Sequence, residues 1–133
     1  MDERKYSILL AQSARVLDAY RKMREPMFEL AGARKKKPLA AKVQQAMGEA
    51  LTCFLVAKND FAEIIEGRRR GVAFPLEERA RRLFESTRAV SQAIRNLEVV
   101  TKKAYPITSR KIQEVAEILE HVLIELRKSA QSH

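Results

Sequence analysis

The chain has 133 residues, 46% hydrophobic and 32% charged, with four Gly, four Pro and no Trp. That length suits one domain with its own core, and that composition excludes a disordered tail. A net charge of +9, from 26 Lys and Arg against 17 Asp and Glu, makes polyanions such as RNA, DNA or an acidic protein surface the natural partners.

Turn formers are scarce and Ala, Leu, Glu, Lys, Arg and Gln dominate, which predicts a few long helices. In the first segment Leu10, Leu17, Tyr20, Met23 and Met27 form a loose helical stripe, and Pro26 should kink or end the helix. A first hinge is expected over Gly32–Pro38, with Gly past one helix and Pro before the next. The second helix carries Val43, Met47, Ala50, Phe54, Ala57, Phe61 and Ile65 on one stripe. A second hinge follows over Gly67–Pro75. The third helix repeats Leu76, Ala80, Leu83, Val90, Ile94, Leu97 and Val100, with Thr87 filling one step. At the third hinge, Tyr105-Pro106-Ile107-Thr108-Ser109, a hydroxyl of Thr108 or Ser109 can cap the fourth helix. That helix carries Ile112, Val115, Leu119, Val122 and Leu126. No Asn-Gly or Asp-Gly turn between alternating runs signals a strand. The expected fold is all-α, an antiparallel up-down-up-down four-helix bundle forming a single domain over residues 1–133.

The second helix is more apolar than a bundle requires. Two readings of Leu51-Thr52-Cys53-Phe54-Leu55-Val56-Ala57 stay open: burial on two sides within the monomer, or an outer face that meets another subunit.

The positive charge is concentrated. Arg34-Lys35-Lys36-Lys37 and Arg68-Arg69-Arg70 together supply +7 of the +9. In an up-down bundle the first and third hinges share an end, which gathers Arg34, Lys35, Lys36, Lys37, Lys102, Lys103, Arg110 and Lys111 into a basic cap. The other end receives Arg68, Arg69, Arg70 and Arg79, with Arg127 and Lys128 nearby, and Arg81, Arg82, Arg88 and Arg95 form a stripe between. This is the pattern of sequence-independent phosphate contacts. Phe54, Phe61 and Phe84 fall on core stripes, so base stacking is not indicated.

Catalysis and metal binding find no constellation. Cys53 is the only cysteine and, between apolar neighbours, reads as a buried, inert thiol without a disulfide. His121 and His133 are the only histidines, and the Glu-x-x-His of a di-iron bundle fails because Ile118 stands three before His121. Gly67 and Gly71 enclose arginines rather than leading a phosphate-cradling loop. Glu117 with His121 and Glu78 with Arg82 read as helix-face pairs. No cofactor is expected. The start Met1-Asp2-Glu3-Arg4-Lys5 leads into no long apolar run, so no membrane span and a cytoplasmic location are expected.

Tyr20, Pro26, the Arg34–Pro38 hinge, the phrase Phe54-Leu55-Val56-Ala57 and the stretch from Pro106-Ile107-Thr108 through Val115, Ile118 and Leu119 carry a resemblance. With a basic first hinge in a short bundle, the chain resembles the accessory variability determinant proteins of diversity-generating retroelements and their relatives encoded in ribosomal-RNA intervening sequences. It departs from them late in the fourth helix, where it has His121-Val122-Leu123-Ile124 in place of small residues followed by Trp. The resemblance implies a non-enzymatic accessory protein, a homo-oligomer in the form of a pentameric ring, bound to a reverse transcriptase and its template RNA. The alternative reading is a helical adaptor that docks an acidic protein.

Overall fold

The computed structural model describes residues 3–131, apart from the side chains of Arg69 and Gln131. The chain is all-α. Its elements are α1 (Glu3–Lys22), α2 (Arg24–Lys36), α3 (Ala41–Glu66), a two-residue ladder of β1 (Arg68–Arg69) and β2 (Val72–Ala73), α4 (Leu76–Thr101) and α5 (Pro106–Gln131).

Pro26 acts one turn upstream of itself. It has no N–H for the Lys22 carbonyl, and α1 ends at Lys22 with a single-residue turn at Met23. The path still continues, because the Met23 N–H bonds to the Ala19 carbonyl at 3.0 Å and the Met27 N–H to Met23 at 3.1 Å. The next break falls later than its glycine implied. Gly32 lies inside α2, which runs through Arg34 and Lys35 to Lys36. Pro38 forces the stop: it bars the residue before it from helical angles, and Lys37 is extended at φ −153°, ψ 138°. Gly67, by contrast, does close α3, at φ 75°.

The second hinge contains a hairpin that the sequence reading did not find. Arg68 pairs with Ala73 and Arg69 with Val72, and the two turn residues Arg70 and Gly71 have φ of 52° and 79°. Positive φ at both centres is the requirement of a type I′ turn. An Arg in the first centre hid the signal.

At the third hinge, Pro106 takes the first helical position, where its missing N–H costs nothing. Thr108 and Ser109 therefore lie inside α5 and do not cap it. Their hydroxyls donate instead to Glu29 Oε2 at 2.8 Å and to the Glu98 carbonyl at 3.0 Å.

The core joins Leu9, Val16 and Leu30 to Val43, Phe54 and Ile64 of α3, Leu83, Ile94 and Leu97 of α4, and Ile112, Leu119 and Val122 of α5. On α1 and on α3 the stripe lies one residue from its expected place. Leu9 and Val16 are buried while Leu10 is exposed and Leu17 half-buried, and Ile64 is buried and Ile65 exposed. Both members of each pair are apolar, so spacing alone could not choose between them.

α3 packs along α4, α4 along α5, and α1 and α2 along α5, whereas α1 barely meets α3. That open seam holds a groove of about 240 Å³ lined by Tyr20, Met23, Met27, Phe28, Leu51 and Phe54. Burial of α3 on two sides is thus overturned: Leu51, Leu55 and Val56 are 49%, 49% and 56% exposed. Cys53 is half-buried, not buried.

One core atom lacks a partner. Thr87 is fully buried, and its hydroxyl has no hydrogen bond among the described residues. An unpaired buried hydroxyl costs about 1–3 kcal/mol. Thr87→Val, which keeps the shape, is expected to stabilise the protein by about 1 kcal/mol, read as a higher urea midpoint at unchanged slope.

Candidate nucleic-acid interface

Side-chain bonds fix α2 to the start of α5. Thr108 Oγ1 donates to Glu29 at 2.8 Å, and Lys111 Nζ donates to Glu25 at 2.8 Å and also to Glu29. From Glu29, α2 continues to Lys36, about 10 Å farther at 1.5 Å per residue. This carries Arg34, Lys35, Lys36 and Lys37 to the end of the molecule where Lys102 and Lys103 precede Pro106 and Arg110 opens α5. These seven side chains are exposed, and no ion pair or side-chain hydrogen bond engages them among the described residues. α3 also begins at this end, with no side-chain cap on Ala40 and no acid in its first turn, and the first turn of α5 has no acid either. The partial positive charge of the α3 N-terminus thus adds to the lysines, whereas that of α5 is met by the Glu29 carboxylate, which accepts from Thr108 in its first turn. The C-terminal dipole of α2 is offset by its own Arg34, Lys35 and Lys36.

Lys111 is the exception among the expected cap residues. Its ammonium is neutralised by Glu25 and Glu29, and it positions α2 rather than facing outward. Lys111 and then Thr108, by hydrogen bonding, hold the Glu29 carboxyl below the ordinary carboxylate range. Glu25 and then Glu29 raise Lys111 above the ordinary lysine range. A depressed carboxyl contributes stability that is complete above its ordinary range and is lost as pH falls through the lowered value. A raised lysine contributes until pH climbs through its raised value. The unfolding-midpoint gap between the native chain and Glu29→Gln is therefore expected to be full at neutral pH and to vanish in acid. A gap that persists below the carboxylate range would contradict this.

The other expected cations divide. Arg68 and Arg70 are exposed on the hairpin; the Arg69 side chain lies outside the described residues. Arg79 is structural. Its Nε and Nη2 donate to the Ile64 and Ile65 carbonyls at 2.7 and 3.2 Å, its guanidinium lies 5.4 Å from the Tyr6 ring, and a Cβ on Gly67 would meet it at 3.1 Å. Arg127 lies 5.6 Å from the Phe84 ring, and Lys128 is 3.7 Å from Glu125.

The stripe on α4 is mostly spent. Arg82 pairs with Asp60 and Glu63, each at 2.9 Å, rather than with Glu78. Glu78 and Glu85 hold Arg81, and Glu98 and Glu120, each at 2.6 Å, hold Arg95. Arg88 alone of the four has no such partner among the described residues. The acids that hold Arg81, and Glu98 beside Arg95, lie on α4 itself at helical spacing, whereas Asp60 and Glu63 of α3 and Glu120 of α5 face Arg82 and Arg95 across helices, which spacing along α4 could not reveal.

Among aromatics, Phe28 escaped the sequence reading and is 77% exposed. It borders the groove beside Leu51 rather than the cap; the aromatic nearest to Lys102 and Lys103 in sequence, Tyr105, is partly buried against the core. A second hollow, of about 380 Å³, lies between Ile8, Leu9, Leu76, Ala80, Phe84 and Leu126, with Lys5, Glu77, Arg81 and Arg127 also lining it. His121 is exposed, and His133 lies outside the described residues. Among the described residues no group of three or more His, Cys, Asp or Glu is arranged to hold a metal ion, and no helix is long and apolar enough to cross a membrane. In comparisons with family models, curated proteins and solved structures, the chain matches none.

Proposed function

We propose that this chain is a non-enzymatic accessory protein that grips the phosphate backbone of RNA or DNA with Arg34, Lys35, Lys36, Lys37, Lys102, Lys103 and Arg110. The observation that carries the reading is selective pairing: these cations are exposed and unengaged among the described residues, while Arg79, Arg81, Arg82, Arg95 and Lys111 are bonded within the fold. Charge that folding leaves unmatched is available to an external anion. In this reading the helices alternate up-down-up-down. Residues 60 to 64 meet 86 to 79 in reverse order, and residues 29 and 25 meet 108 and 111 likewise. Arg68 and Arg70 form a smaller second contact at the far end, with Arg69 between them in sequence.

Such binding reads charge and not base sequence. The resemblance to accessory variability determinant proteins supplies the setting: a cytoplasmic complex with a reverse transcriptase and its template RNA. The test is a salt titration of filter binding to single-stranded RNA. Seven phosphate contacts give a log–log slope of about −5, at roughly 0.7 per phosphate. A flat response overturns the proposal.

The packing of Tyr105, the aromatic nearest to Lys102 and Lys103 in sequence, against the core favours one other reading, an adaptor for an acidic protein. Purified protein free of nucleic acid by its absorbance ratio, and insensitive to added RNA, would select it.

A further inference from the structure

α3 buries one face against α4 and turns the opposite face outward. On that outward face, positions 41, 45, 48, 52, 55, 59 and 62 recur at alternating steps of four and three, all exposed and none charged. This is the spacing of a coiled-coil seam. In a chain that is 32% charged, a solvent face is where Lys and Glu ordinarily sit. We propose that this face packs antiparallel against the same face of a second copy of this chain, about a two-fold axis at Thr52.

Chemistry matches at every level when the seam is reversed and laid on itself. Ala41 meets Ala62, small against small. Gln45 meets Asn59, two amides able to exchange hydrogen bonds. Leu55, 49% exposed in the monomer, meets Gly48. Thr52 meets Thr52 at the axis. Leu51 and Val56 flank these levels with further exposed apolar surface. The glycine needs an explanation that the monomer does not give. A Cβ on Gly48 would meet nothing within 4 Å, so no intramolecular contact demands glycine in a helix interior that glycine weakens. A notch for the partner's Leu55 supplies the reason.

Charge decides the orientation. α3 starts with Lys42, no acid and no side-chain cap. Glu66, one turn beyond Ala62, is exposed and has no ion pair among the described residues. Antiparallel pairing brings the partner's Glu66 to the dipole-positive start of α3, beside Lys42, and does so twice by symmetry. Parallel pairing sets Glu66 on Glu66 and Lys42 on Lys42. A stable interface takes about 800 Å² per copy, roughly a tenth of the 8738 Å² that the chain exposes, and the seam runs about 32 Å along α3 at 1.5 Å per residue.

The unmodified chain is expected to sediment at micromolar concentration with twice its 15.2 kDa mass, and Leu55→Glu to sediment at the single mass with unchanged helicity. In a Cys53→Ala background, Ala41→Cys and Ala62→Cys proteins are expected to form a disulfide with each other on mixing and neither with itself. A monomer, the pentameric ring implied by the resemblance, self-linked Ala41→Cys dimers, or a Leu55→Glu protein still at twice the mass would each overturn the proposal. The sedimentation of the unmodified chain decides even if the cysteine variants fail to fold.

Discussion

Neutralising Arg34, Lys35, Lys36 and Lys37 together to Gln is expected to weaken single-stranded RNA binding by about 100- to 1000-fold near roughly 0.1 M salt. The magnitude follows from counterion release. Each lost phosphate contact removes about 0.7 from the log–log salt slope, so four flatten it by about 3. Protein stability should fall little. The four side chains are exposed at the end of α2, and losing cations from its last turn costs about 0.3–1 kcal/mol. Filter binding over a salt series, beside a circular-dichroism melt, separates the two effects. A variant that keeps its affinity and slope would move the contact elsewhere, with Arg68 and Arg70 the next candidates.

The second large effect is structural and reaches the same cap. Leu30 is fully buried and neighbours Glu29, which bonds to Thr108 and Lys111. Leu30→Ala is expected to cost about 2–5 kcal/mol in urea unfolding, because deleting a buried side chain loses transfer energy and leaves a cavity. It should also weaken RNA binding at unchanged surface charge, since α2 no longer carries Arg34–Lys37 past the start of α5 to the end of the molecule where α4 finishes at Lys102 and Lys103. Phe28→Ala, two residues away but 77% exposed, is the control and should stay within about 0.5 kcal/mol. A Leu30→Ala loss below that level would mean that α2 needs no anchor in the core.

These two variants mark how far the sequence could be read. Helix class and the core faces of α4 and α5 were legible because Val90, Ile94 and Leu97, and Ile112, Val115 and Leu119, keep helical spacing. The register of α1 was not, since Leu9 and Leu10 are both apolar and only packing against α5 separates them. Gly32 misled because glycine permits a helix end without requiring one, whereas Pro38 imposes it on Lys37. The cap was legible as charge. Which charges remain outside was not, because Glu29 stands 82 residues from Lys111, and Asp60 stands 22 from Arg82. Long-range pairing of this kind leaves no local trace.

The same separation orders the molecule in time. α3, α4 and α5 follow one another and pack as sequence neighbours, whereas α2 reaches α5 across the 79 residues between Glu29 and Thr108 and the 86 between Glu25 and Lys111. Contacts that close long loops form late, since the entropy of closure is spent before any contact rewards it. A nascent chain therefore exposes Arg34–Lys37 long before Lys102, Lys103 and Arg110 can stand beside them. In the proposed reading, a grip on a polyanion by both clusters at once arises only after α5 has been synthesised.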